Sequence, residues 1–180
     1  GQGPRAIREA GVGHIPEDRH RRGLVLNFTV AENTALGDHR SFARRGILNY
    51  SKMFDLAQQV VQSFDVRPPR PDYFARQLSG GNQQKVIVGR EITRNPELMI
   101  AAQPTRGLDV GAIEFIHRKL VAERDAGKAV LLVSMELDEI MSLADRILVM
   151  YKGEVVAEVA SQDATEEHLG LLMMGGGSGA

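Results

Sequence analysis

The run Leu78-Ser79-Gly80-Gly81-Asn82-Gln83-Gln84-Lys85 puts a hydroxyl and two residues without side chains at the entrance of a polar helix. The first turn of a helix leaves backbone N–H groups without intrahelical partners and carries partial positive charge. Glycines let a phosphate approach those amides closely, and the serine adds a hydroxyl. Taken alone, Ser79-Gly80-Gly81 reads as an N-cap serine before a turn. Leu78 before it and Asn82 to Lys85 after it shift the balance toward a helix mouth that faces a phosphate. The usual companion, a Gly-x-x-x-x-Gly-Lys-Ser/Thr loop, does not occur in the 180 residues. Gly127-Lys128 is a decoy, because Ala122 stands at the first glycine position and Ala129 at the hydroxyl position.

The elements that must hold this run are legible around it. Pro4 onward reads as a short helix and Val12-Gly13-His14-Ile15 as a strand. From Thr29 to about Gln77 the pattern is helical. Thr29-Val30-Ala31-Glu32 has the form of a capping box, and Met53, Ala57, Val60, Val61 and Phe64 make one apolar stripe at helical spacing. Pro68-Pro69 breaks it. The helix after Ser79 ends before Asn95-Pro96, with Arg90 and Arg94 placed to suit its negative end. Helices then alternate with apolar runs at Leu98–Ala102, Ala129–Val133 and Ile147–Met150, with stripes at Ile113, Ile116, Leu120 and at Leu137, Ile140, Met141. A turn at Lys152-Gly153 precedes a strand from Glu154 to Val159. Runs apolar on both faces, alternating with helices, predict a mostly parallel sheet covered on two sides.

The expected organisation is a sheet-associated lead-in over 1–28, a helical subdomain over 29–95, an α/β back half over 96–170 and a tail over 171–180. Composition fits a globular α/β chain, 43% hydrophobic and 25% charged. A formal net charge of −1 gives no global pull toward nucleic acid or an anionic membrane. The absence of cysteine excludes a disulfide scaffold and a thiolate metal site. No apolar run approaches the ~20 residues of a membrane helix, so a membrane role is expected to be peripheral, through a partner. The opening Gly1-Gln2-Gly3-Pro4 suggests an excised piece of a longer chain.

Leu78 to Lys85 resembles the signature motif of ATP-binding-cassette (ABC) transporter ATPases, and its Asn-Gln-Gln-Lys form resembles the ATPase subunits of ribose, galactose and nucleoside importers. Ile15-Pro16-Glu17-Asp18-Arg19, with Gly23-Leu24-Val25 and Val30-Ala31-Glu32-Asn33, resembles the segment after the Q-loop position in the second of that family's two nucleotide-binding domains. Pro104-Thr105-Arg106-Gly107-Leu108-Asp109 resembles the D-loop region, and Val133-Ser134-Met135-Glu136 falls where the switch-histidine loop lies. The resemblance runs from about Ala10 to about Met174, and Ala101-Ala102-Gln103-Pro104 suggests the nucleoside branch.

The resemblance implies an α/β fold: a partial ABC-type nucleotide-binding domain with a helical signature subdomain, lacking its phosphate-loop portion. It implies that Leu78, Ser79, Gly80 and Gly81 contact an ATP, with its magnesium, held by a second nucleotide-binding domain, while Asn82 and Gln83 support the turn. Glu17 would take the Q-loop place, and Asp109 would reach across the interface. Transmembrane permease subunits would be the other partners, at the cytoplasmic side of the cell membrane. The departures are equally specific. Where the family has Asp-Glu after the Leu98–Ile100 strand, this chain has Ala102 and Gln103; alanine cannot hold magnesium through water, and an amide cannot take a proton from an attacking water. Met135 has no ring nitrogen for a γ-phosphate. The chain alone is therefore expected not to hydrolyse ATP or to bind it firmly. No catalytic or metal-ligating residue is assigned.

Other features read more plainly. Arg19-His20-Arg21-Arg22 and Arg40 to Arg45 read as solvated loops, Asp138-Glu139 and Glu166-Glu167 as solvated helix faces, and Met173-Met174 as packing or tail residues. The five histidines lack ligand spacing. Two alternatives stay open: the trailing lobe of a DNA-maintenance ATPase, and a non-catalytic interaction or regulatory module. The first has little sequence support, since no basic face is evident and no nucleic-acid partner is expected. Self-association through an uncovered strand edge is a further expectation.

Overall fold

The computed structural model describes residues 1–175, and the chain divides into two compact units, Gly1–Val133 and Ser134–Ala180. In the first, a short helix α1 (Pro4–Glu9) leads into strand β1 (Val12–Ile15). Pro4 occupies the start of α1, where a missing N–H costs nothing. A π-helical turn over Arg19–Gly23 follows, capped by Asp18. Helix α2 (Val30–Thr34) opens on the capping box of Thr29 and Glu32, with both halves formed. A short hairpin of β2 (Ala43–Arg44) and β3 (Ile47–Leu48) precedes α3 (Tyr50–Ser63). Then come α4 (Gly80–Thr93), β4 (Leu98–Ala102), α5 (Val110–Asp125) and β5 (Ala129–Val133).

Strands β1, β4 and β5 form a parallel sheet in that order, with Val12 opposite Leu98 and Leu98 opposite Ala129. The β4–α5–β5 crossover is the connection that parallel neighbours require. Strand β5 lies at the sheet's edge, and Leu131 and Val133 are exposed, so its outer face is open where the sequence predicts cover on both sides.

The stripe Met53, Ala57, Val60, Val61 and Phe64 is buried throughout. It packs with Ile15, Ile87, Met99, Ile116 and Leu120 in a core shared by the helices and the sheet, apart from Met53 and Ala57; Met53 joins a satellite cluster under the hairpin. Gly89 permits the close approach of α3 and α4. A β-carbon there would stand 2.6 Å from Val60 Cγ1 and 3.0 Å from Phe64 Cδ2.

Arg90 differs from its sequence reading. It is buried, its Nε donates to Glu91 Oε1 at 2.8 Å, and its Nη1 donates to the carbonyls of Gly23 and Asn33 at 2.9 and 3.2 Å. It serves as a buried strut from α4 to the π-helical turn and α2. Asn33 completes that junction, since its Oδ1 accepts the Val25 N–H at 2.8 Å and its Nδ2 donates to the Val25 carbonyl at 3.0 Å.

The second unit holds α6 (Leu137–Leu143), β6 (Arg146–Tyr151), β7 (Glu154–Ala160) and α7 (Glu166–Met173). Strands β6 and β7 pair antiparallel as their own two-stranded sheet. They turn at Lys152-Gly153, both with positive φ, as a tight right-twisted hairpin requires. Ile147, Val149, Val159, Leu169 and Leu172 form its core. Glu139 is buried here while Asp138 is exposed, so the reading of both as a solvated face is corrected for Glu139. Helix α7 continues through residues expected as tail, with Leu172 buried. The glycine-rich end from residue 176 on lies outside the described residues.

Candidate functional site

Ser79 is the N-cap of α4, with extended backbone (φ −62°, ψ 159°) and an exposed side chain. Its Oγ accepts the Asn82 N–H at 3.4 Å and a second hydrogen bond from Asn82 Nδ2 at 2.9 Å. Asn82 Oδ1 accepts the Arg67 N–H at 2.7 Å, so one amide orients the serine and ties it to the loop after α3. Leu78 is buried beneath the turn. Buried Gln83 donates from Nε2 to the Ala75 carbonyl at 3.0 Å, and its Oε1 lies 2.8 Å from His20 Nε2. Gln84, also buried, donates to the Pro104 carbonyl at 2.7 Å. Lys85 donates to the Asp65 carbonyl at 3.0 Å and lies over the Phe115 ring. The polar side chains of this helix are thus spent on holding its own mouth in place.

Gly81 is buried, and a β-carbon on it would stand 2.9 Å from Ala112 Cβ and 3.3 Å from Asp109 Oδ2. Asp109 is the N-cap of α5, where its Oδ1 accepts the Ala112 N–H at 3.0 Å. The N-termini of α4 and α5 therefore converge, and a carboxylate sits between two partial positive charges.

Glu17, exposed after β1, accepts from Arg106 Nη1 at 2.9 Å. Arg19 Nη1 donates to the Arg106 carbonyl at 3.0 Å, and its Nη2 lies 3.1 Å from where a Gly80 β-carbon would be. Glu17, the helix mouth and the loop before Asp109 are therefore brought together through Arg19 and Arg106. Reading Arg19-His20-Arg21-Arg22 as solvated missed this for Arg19 and His20. The available signal was Asp18, whose carboxylate accepts the His20 and Arg21 N–H groups at 3.0 Å each and so caps a turn. Those bonds, that of Arg21 first, hold the Asp18 carboxyl below the usual carboxylate range against the opposing effect of desolvation.

Gln103 follows β4 with φ 47° and donates its N–H to the Val133 carbonyl at 2.7 Å, joining the ends of β4 and β5. Ala102 closes β4. Met135 is 76% exposed and belongs to the second unit. The hydroxyl and amides at Ser79 and Gly80 fit a phosphate. Among the described residues no group of three or more His, Asp or Glu side chains is placed to hold a metal ion.

No family model matches the chain. It is 56% identical over 174 residues to the guanosine import ATP-binding protein NupO of Bacillus subtilis, covering 96% of this chain and 34% of that protein. It is 52% identical over 177 residues to the nucleoside import ATP-binding protein NupA of Lactococcus lactis, covering 97% and 35%. The ribose import ATP-binding protein RbsA of Bacillus subtilis is 35% identical over 173 residues, covering 96% and 35%. Among solved structures, the ATP-binding cassette MJ0796, a dimer bound to ADP and Pi, superposes with a TM-score of 0.70 at 27% identity, over 86% of this chain and 65% of that one. The chain spans about one third of the length of the import proteins it matches. Over nearly its whole length the chain is similar to one third of these import ATP-binding proteins, and its fold is that of an ATP-binding cassette.

Proposed function

We propose that this chain supplies the Ser79-Gly80-Gly81 helix mouth to an ATP anchored on a second nucleotide-binding domain. In this reading a longer protein of its relatives' length couples ATP binding and hydrolysis to import of a nucleoside or simple sugar through a transmembrane permease, at the cytoplasmic face of the membrane. The observation that carries it is the exposed N-cap of α4. Ser79 is exposed and oriented by Asn82, and the mouth is braced by Gln83, Gln84 and Arg19, with Arg19 beside Gly80 and Gly81 packed against Ala112.

The same reading assigns this half no hydrolytic carboxylate. Ala102 and Gln103 offer neither a magnesium ligand nor a base, and Met135 offers no imidazole. Glu17, linked through Arg106 to the loop that leads to Asp109, is the group suited to pass a change at the nucleotide to the neighbouring loops. Half-exposed Val25, Phe28 and Phe74 give the permease an apolar surface beside α2.

The test is ATP hydrolysis by the full-length protein carrying Ser79→Arg, which blocks the mouth. Turnover should fall by about two orders of magnitude or more, the scale of losing oriented transition-state donors. The isolated chain should show no magnesium-dependent turnover. Unchanged hydrolysis in the variant, or Ser79-dependent hydrolysis by the isolated chain, would refute the proposal.

A further inference from the structure

We propose that the β2–β3 hairpin rests on the anionic phospholipid headgroups of the membrane surface. The proposal builds on the peripheral membrane role above and adds a direct lipid contact made by this chain. Residues 38–55 carry four arginines and lysines against two carboxylates. Arg40, Arg44 and Arg45 are exposed and have no ion pair or side-chain hydrogen bond among the described residues. Of the two carboxylates, Asp38 is engaged by Ser41, whose Oγ donates to it at 2.9 Å, and exposed Asp55 lies on α3. Beside the arginines stand Ile47, 75% exposed, and Tyr50, 64% exposed.

The tip is presented from a firm base. Phe42 is buried with Met53 and Ala35, and Leu48 packs against them. The Asn49 N–H donates to the Phe42 carbonyl at 2.8 Å, while Asn49 Oδ1 caps α3 by accepting the Lys52 N–H at 3.0 Å. The turn holds Arg45 at φ 54° and Gly46 at φ 81°. That geometry favours Asn or Gly at both positions, so the backbone does not account for an arginine there. Charge does: guanidinium groups bind phosphate oxygens bidentately, and an aliphatic and a phenolic side chain beside them suit headgroup depth. A nucleic acid would want several stacking rings, and the tip offers only Tyr50.

Arginines close to an anionic membrane each raise partitioning about fivefold. The test is co-sedimentation of this chain with vesicles of phosphatidylglycerol mixed with phosphatidylcholine, and with phosphatidylcholine alone. The chain has no tryptophan, so Tyr50→Trp gives a single fluorophore at the patch and Val155→Trp a control on β7. We expect salt-sensitive binding to the mixed vesicles only, with a blue shift for Tyr50→Trp and none for Val155→Trp. Arg44→Glu with Arg45→Glu should weaken binding about 30-fold or more, with an unchanged circular dichroism spectrum. Equal binding by that double variant, equal binding to phosphatidylcholine, or tighter Arg44- and Arg45-dependent binding to an RNA oligonucleotide would each overturn the proposal. No nucleotide enters this readout, so its failure leaves the composite ATP site standing, and failure of that site leaves vesicle binding unchanged.

Discussion

Asp109 Oδ2 lies 3.3 Å from the point where Gly81 would carry a β-carbon. The first turns of α4 and α5 are therefore in contact, and the carboxylate that caps α5 abuts the second glycine of α4. Gly81→Ala must displace Ala112, whose Cβ would be 2.9 Å away. Overpacking of this kind costs about 1–3 kcal/mol. Urea denaturation of the variant should show a lowered midpoint with an unchanged slope; a midpoint equal to the parent's would mean that the two helix starts are not rigidly apposed.

Breaking the Arg90–Glu91 pair should be the most damaging polar change in the first unit. Both side chains are buried, and removing one partner of a buried pair costs about 3–5 kcal/mol; without Arg90, Glu91 keeps only the longer contacts to Arg94 Nη1 at 3.7 Å and the His14 N–H at 3.4 Å. Arg90→Met should therefore destabilise strongly, while Arg90→Met with Glu91→Leu should recover much of the loss. A double-mutant cycle by chemical denaturation checks this, and additive costs would show that the pair is not coupled.

The exposed bridge from Arg106 to Glu17 should behave differently. Its side chains are 67% and 61% exposed, and pairs of that kind contribute about 0–1 kcal/mol. Glu17→Gln should leave the melting temperature within a few degrees of the parent. The proposed coupling role of Glu17 predicts that the same change nevertheless lowers nucleotide-stimulated uptake by the full-length protein, and unchanged uptake would contradict that role.

Asp18 gives a pH dependence with a definite sign. Its folded carboxyl lies below the ordinary value of 3.8. The stabilisation of the Arg19–Gly23 turn is therefore complete above that value and is lost as pH falls through the lower folded value. Hydrogen exchange at the Arg21 amide, referred to its intrinsic rate, should show protection falling only in that acid range. Asp18→Asn should remove the pH dependence.

Much of the first unit was legible in the sequence because its elements carry local signals. The Thr29 capping box, the α3 stripe and the stop before Asn95-Pro96 each depend on neighbours a few residues apart, and each appears at its place. The misreadings share another cause. Arg19 and Glu139 look like solvated charges, and Arg90 like a cation suited to the negative end of its helix, until distant partners or burial are known. Arg90 meets the carbonyls of Gly23 and Asn33, and Arg19 meets that of Arg106. The convergence of Gly81 with Asp109 is likewise invisible to spacing, because it depends on how α4 and α5 pack.

The most direct test follows amide hydrogen exchange at Gly80 and Gly81 in the full-length protein, with and without a non-hydrolysable ATP analogue and magnesium. Added protection at these amides when the second nucleotide-binding domain is present, and none when the isolated chain meets the analogue, is the predicted result. Equal protection in the isolated chain, or none in the full-length protein, would contradict a site completed across two domains.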